Sequence, residues 1–166
     1  ANKINKLLEK NNFSKRVFDL NFTLKYFLDK IQPFILEEYK YQFVDDNFQK
    51  KCLFIVTSPL TANRYTEYFE QEIDVIESFI GKYLRKFPEV QLILKPHYRE
   101  KLNKYKKLKI NYSSLKCIAP ETPFQVLAML YKDIDIVCFH SSAVFSVHFL
   151  NSINNIYCLS PQIKTK

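Results

Sequence analysis

Apolar residues recur along this chain with two different periods, and the change from one to the other lays out its architecture. Near the start, Val17, Leu20, Leu24, Phe27 and Leu28 form one helical face, with Ser14 placed to cap it and Pro33 to end or bend it. Residues 34–51 are aromatic and mixed in charge and read as a connector. From Cys52 the pattern becomes regular. Cys52–Thr57 is a short unbroken apolar run, the pattern of a strand buried on both faces. After the turn Ser58-Pro59-Leu60-Thr61, a long helix is predicted from about Asn63 to Phe87, with Phe69, Ile73, Ile76, Phe79, Ile80 and Leu84 on its inner stripe. Further strands are predicted at Val90–Leu94, Leu115–Ala119, Ile134–Phe139 and Asn155–Leu159. Helices are predicted over Arg99–Lys107 and Phe124–Tyr131, and from Ser142 to about Leu150. Thr122 is placed to cap the second of these, with Pro123 at its first position.

Strands that alternate with helices imply βαβ units. The fold class is therefore α/β: a helical and connector segment over 1–50, then a Rossmann-like three-layer domain with a mainly parallel sheet over 51–166. Such sheets bind ligands beyond the carboxyl ends of their strands, where the strand order reverses. Four polar clusters fall at predicted strand ends: Thr57-Ser58, Lys95–Arg99, Pro120–Thr122 and His140–Ser142.

Composition narrows the chemistry. Gly81 is the only glycine, which excludes a glycine-rich phosphate loop, so any bound phosphate must be held by side chains and bare helix N-termini. The net charge of +8 favours an anionic partner. The densest basic run, Arg99 to Lys109, holds six cations and one Glu and reads first as a solvated helix face, with contact to an anionic membrane as the functional alternative. Cys52, Cys117, Cys138 and Cys158 lie far apart in or beside strands, as small hydrophobes in a reducing cytoplasm would. Residues 136–163 carry no charge, but His140, Ser141, Ser142, His148 and Asn151–Asn155 interrupt them short of the ~20 apolar residues of a membrane span. No signal-peptide pattern opens the chain, and its start at Ala1 leads us to expect a further upstream region.

His97 stands just beyond a strand between Lys95 and Arg99, which depress its imidazole pKa until a bound phosphate raises it again. That suits a proton or hydrogen-bond donor to a phosphate leaving group. Ser141 and Ser142 open a helix, where free N–H groups and two hydroxyls can hold an anion; the plainer alternative is that Ser142 is only a cap. The Pro120–Pro123 turn can offer its backbone to a base or ribose, or simply cap a helix. His140 reads as a packed strand-end residue as readily as a ligand, and His148 as core. Serine-protease, zinc-protease and RNA-recognition signatures are all absent from the sequence.

Lys95-Pro96-His97-Tyr98-Arg99-Glu100 and His140-Ser141-Ser142-Ala143, with Leu53–Leu60 ahead of them, resemble the nucleotide-binding half of bacterial GT-B sialyltransferases. The likeness is greatest to the lipooligosaccharide sialyltransferases, glycosyltransferase family 52. That family has a His-Pro motif, often written K-P-H-P-R, and a later Ser-Ser motif at a helix start. The resemblance covers roughly residues 50–160, and Tyr98 stands where the family has proline. It implies an inverting, metal-independent transfer with CMP-sialic acid as donor and no cofactor. His97 would be the catalytic group that stabilises or protonates the departing phosphate. Lys95, Pro96, Arg99, Pro120, Glu121, Thr122, Ser141 and Ser142 would bind the nucleotide and its phosphate. The base should be a carboxylate; Glu67, Glu70, Glu72 and Asp74 follow the first strand, each of them first a solvated helix residue. Implied partners are the nucleotide-sugar donor and a galactose-containing glycan or glycolipid acceptor, with peripheral contact to an anionic inner membrane and a homodimer also expected. Nucleic acid is not the expected partner. A GT-B cleft needs a second half, so this stretch alone is expected to be inactive. Two other readings stay open: a transferase for a different nucleotide-sugar, and a non-catalytic basic module for nucleotides or nucleic acid.

Overall fold

The run Cys52–Val56 forms β1 with all five residues buried, as a strand without a polar face requires. The computed structural model describes residues 48–58, 66–139, 141–148, 150 and 152–159, with Pro33 and Glu37; for 66–71, 142 and 145 it describes backbone only. The helix predicted after Ser14 and the turn beyond Ser58 lie outside the described residues. By compactness the chain divides into Ala1–Glu38 and Tyr39–Lys166, and the sheet belongs wholly to the second unit.

After β1 come α1 (Thr66–Lys86), β2 (Gln91–Lys95), a 3-10 turn (Leu102–Tyr105), α2 (Lys106–Asn111) and β3 (Lys116–Cys117). Then follow α3 (Phe124–Leu130), β4 (Ile134–Cys138), α4 (Ser142–Phe145) and β5 (Ile153–Cys158). The five strands make one sheet in the order β3-β2-β1-β4-β5, and every pairing is parallel. The chain builds outward from β1 to β3, then returns to the other side of β1 as β4. The order reverses between β1 and β4, and a crevice opens there at the carboxyl ends. This is the Rossmann-like α/β architecture read from the sequence.

Alternation along the strands splits the core into two layers. Leu53, Ile55, Leu92, Leu94 and Val137 face Ile73, Ile76 and Ile80 of α1 and Leu108 of α2. On the other face the Phe54 ring meets Phe124 at 5.5 Å and Tyr131 at 5.1 Å, edge to face. Each such fully buried side chain contributes about 1.5–3 kcal/mol. At the amino end of β4, Asp135 is fully buried. It accepts hydrogen bonds from the Tyr83 hydroxyl and from Asn155 at 2.8 Å, and pairs with Lys51 at 3.3 Å. Burial opposes its ionisation, but these partners outweigh burial and hold the carboxyl below its ordinary value. This cluster fixes the sheet end opposite the crevice.

Several boundaries differ from expectation, each for a local reason. The β5 strand starts at Ile153, two residues earlier than expected, with Asn154 and Asn155 bonded to Asp133 and Asp135. Pro123, not Thr122, holds the cap position of α3, in extended conformation and without a side-chain cap. The helix after Ser142 ends at Phe145, where the Ser146 hydroxyl bonds back to the Ala143 carbonyl at 2.7 Å and competes with the helical ladder. His148 is exposed, not core. Of the cysteines, Cys52 and Cys138 are buried as small hydrophobes, whereas Cys158 is exposed.

Gly81 lies inside α1, and a methyl group added there would meet nothing within 4 Å. Gly81→Ala is therefore expected to raise stability by about 0.5–1 kcal/mol, read as a higher urea midpoint with an unchanged slope.

Candidate functional site

The turn that follows β2, Pro96 to Glu100, is closed by a carboxylate. Glu100 Oε2 accepts the Thr57 hydroxyl, the Tyr105 hydroxyl at 2.8 Å and the His97 backbone N–H at 3.2 Å. Its other oxygen accepts Lys104 Nζ at 2.6 Å, and Lys104 bonds equally closely to Glu72. The Glu100 N–H returns a bond to the His97 carbonyl at 2.9 Å. Burial, and then the Glu100 charge, push the Tyr105 phenol up, so it stays a donor. These demands explain why no helix begins at Arg99. Glu100 must point inward, the chain is extended at Lys101, and the first turn is 3-10 from Leu102.

Held this way, His97 is only partly exposed. Its Nδ1 accepts the Arg99 backbone N–H at 3.2 Å, which leaves the proton of the neutral ring on Nε2. Burial lowers its pKa below 6.5, Glu100 opposes this, and the Arg99 and Lys95 charges lower it further. The Tyr98 ring lies tilted against the His97 ring with centroids 4.3 Å apart, and the Arg99 guanidinium lies 5.2 Å from the Tyr98 ring. Lys95 is buried at the end of β2, donating to the Pro96 carbonyl at 2.5 Å and the Pro120 carbonyl at 2.9 Å. Burial pulls its ammonium below the ordinary value, while Glu121 and Glu100 act through space to restore it.

Lys95, His97 and Tyr98 share one cavity of about 360 Å³, at the carboxyl ends of β1, β2 and β4 and the loop after β3. Of the residues singled out by sequence, Lys95, Pro96, His97, Pro120, Glu121, Thr122 and Ser141 line it. Arg99 is not among its lining residues, and the side chain of Ser142 lies outside the described residues. Arg99 contributes to the turn, and Ser142 opens a helix of only four residues, too short for an appreciable dipole. Ser141 holds the cap position with no side-chain cap bond. His140 lies outside the described residues.

The profile of glycosyltransferase family 52 matches residues 1–163. The chain belongs to glycosyltransferase family 52. The match runs well ahead of the motifs near 95 and 141, so the kinship is carried by nearly the whole chain. No curated protein and no solved structure matches it. Family 52 membership makes this a glycosyltransferase chain, which binds a nucleotide-sugar donor and an acceptor. Among the described residues no helix is long and apolar enough to cross a membrane, and no cluster of three metal-ligating side chains occurs.

Against that family background two expectations change. The basic run is not one solvated face: Lys104 is buried between two carboxylates, and Lys107 is exposed but paired with Asp74 and Glu77. Glu72 is likewise buried with Lys104, and neither it nor Asp74 lines the cavity. The side chains of Glu67 and Glu70 lie outside the described residues. Sequence reading noted Thr57-Ser58 as a polar strand end but gave neither residue a role. Thr57 anchors the histidine turn, and both line the cavity.

Removing Lys104 would leave Glu72 and Glu100 buried without their cation. Lys104→Met is expected to cost about 3–5 kcal/mol in urea unfolding. A loss under about 1 kcal/mol, typical of an exposed pair, would show that the cluster does not hold the turn.

Proposed function

We propose that this chain binds the CMP moiety of CMP-sialic acid and serves inverting sialyl transfer, as the nucleotide half of a GT-B enzyme, to a galactose-containing surface glycan such as lipooligosaccharide. The observation that carries this reading is the cavity at the sheet's switch point, where His97, Lys95 and Ser141 converge. In the reaction an acceptor hydroxyl gives its proton to a carboxylate base and attacks the anomeric carbon while the bond from that carbon to the phosphate oxygen breaks, and the phosphate keeps the electron pair. The neutral His97 ring donates Nε2–H to that phosphate. Its lowered pKa and the Arg99 bond at Nδ1 favour a hydrogen-bond donor in the free cavity, and the incoming phosphate charge draws the ring toward imidazolium. Lys95 adds positive potential from a buried position, where a charge is screened least. Ser141 donates its hydroxyl, and Ser142 offers its one backbone N–H. Glu121, on the Pro120–Thr122 turn, accepts from ribose hydroxyls. Donors placed where charge develops in this way each supply about 2.7–4 kcal/mol of transition-state stabilisation.

Calorimetric titration of CMP, with UMP and GMP as controls, tests the reading directly. Selective CMP binding is expected, weakened roughly 10- to 100-fold in both His97→Ala and Ser141→Ala. Equal binding of the three nucleotides would sink the donor assignment.

A second check follows the proton. In the free chain His97 is expected to titrate below 6.5 by NMR, so the ring is neutral at pH 7 and gains its charge only in more acid solution. Saturating CMP should move that midpoint upward; a midpoint that stays put would separate His97 from the phosphate.

A further inference from the structure

We propose that Ser58, at the carboxyl end of β1, is a further phosphate-contacting residue, placed between the donors of β2 and β4. This rests on the cavity being the nucleotide site. Two adjacent hydroxyls end β1, and they have different fates. Thr57 Oγ1 is spent within the protein, donating to Glu100 and accepting the His97 N–H at 3.2 Å. Ser58 is 5% exposed and lines the cavity, yet its Oγ has no hydrogen-bond partner among the described residues. A buried hydroxyl left unpaired is unfavourable, and folded proteins rarely retain one without a use. One staggered step about its Cα–Cβ bond re-aims the oxygen without moving the backbone.

Register shows what that oxygen faces. Val56 pairs with Lys95 on one side and Cys138 on the other, and the Thr57 N–H extends the ladder to the Lys95 carbonyl at 3.2 Å. Two residues past Val56, Ser58 stands level with His97, two residues past Lys95. On the β2 side it has the buried Lys95 ammonium and the His97 ring, and on the β4 side the Ser141 hydroxyl. A cation, an imidazole N–H and two hydroxyls around one space suit a ligand with several acceptor oxygens and negative charge, which is a phosphate monoester. The Ser58 O–H donates to one phosphate oxygen.

The test compares CMP with cytidine, which lacks the phosphate, on the wild-type chain, Ser58→Ala and Ser58→Thr, with melting of each free protein. Wild type should bind CMP more tightly than cytidine. Ser58→Ala should lose about tenfold in CMP affinity, the loss of one hydrogen bond to a charged group, with cytidine binding unchanged and a melting temperature that is unchanged or raised. Ser58→Thr, which keeps the hydroxyl, should restore CMP binding. If Ser58→Ala binds CMP as wild type does, the Ser58 contact is overturned while the nucleotide site stands. An equal loss for CMP and cytidine, or a lowered melting temperature, also overturns it, by assigning Ser58 to the nucleoside or to the fold. A wild-type chain that binds CMP no better than cytidine removes the phosphate site itself, and the contact with it.

Discussion

A single carboxylate, that of Glu100, holds the candidate site in shape. Three of its partners, His97, Lys104 and Tyr105, lie within five residues of it in the chain, and the fourth, Thr57, is 43 residues away on the neighbouring strand. The local bonds curl the chain back after β2, and the distant one ties that curl to the end of β1. Tyr98 follows the histidine in this turn, and the hydrogen bonds converging on Glu100 restrain it. A buried carboxylate is tolerated there because Lys104 and three O–H or N–H donors surround it.

The fold was legible because a parallel sheet advertises itself. The runs at β1, β2 and β4 are mostly apolar, since both faces of the sheet are covered, and polar residues follow at or just beyond the end of each. The histidine turn and Ser141 stand at strand ends, which is where such polar clusters were expected. What could not be read was which charged residues turn inward. Lys104 sits in a run of lysines that looks uniform along the chain, and only the approach of Glu72 from α1 makes it structural. The start of the helix after His97 was misplaced for a related cause, because Glu100 looks like a helix-opening residue until its contact with Thr57 is known. Thr57 and Ser58 differ by one hydroxyl's commitment, a distinction that no local pattern encodes.

The charge of the molecule therefore has two separate jobs. Much of the excess lies on exposed lysines, whose effect fades beyond the ~8–10 Å reach of fields in physiological salt. The cation that matters to the cavity is Lys95, desolvated and held on two backbone carbonyls, so it acts at short range and is weakly screened. Recognition here is built from a few fixed groups, and the overall positive potential serves encounter more than affinity.

The scarcity of glycine carries a consequence for how such a pocket can change over generations. A glycine-rich loop grips phosphate with main-chain amides, which belong to the backbone and not to any one side chain. With its lone glycine inside α1, a phosphate pocket in this chain would rely on side chains at the strand ends. Each such contact can be lost, swapped or gained by one codon change while the sheet stands. That makes the pocket's preferences unusually open to drift and selection, and ties the durability of its chemistry to the few residues, Glu100 foremost, that cannot be exchanged without losing the turn.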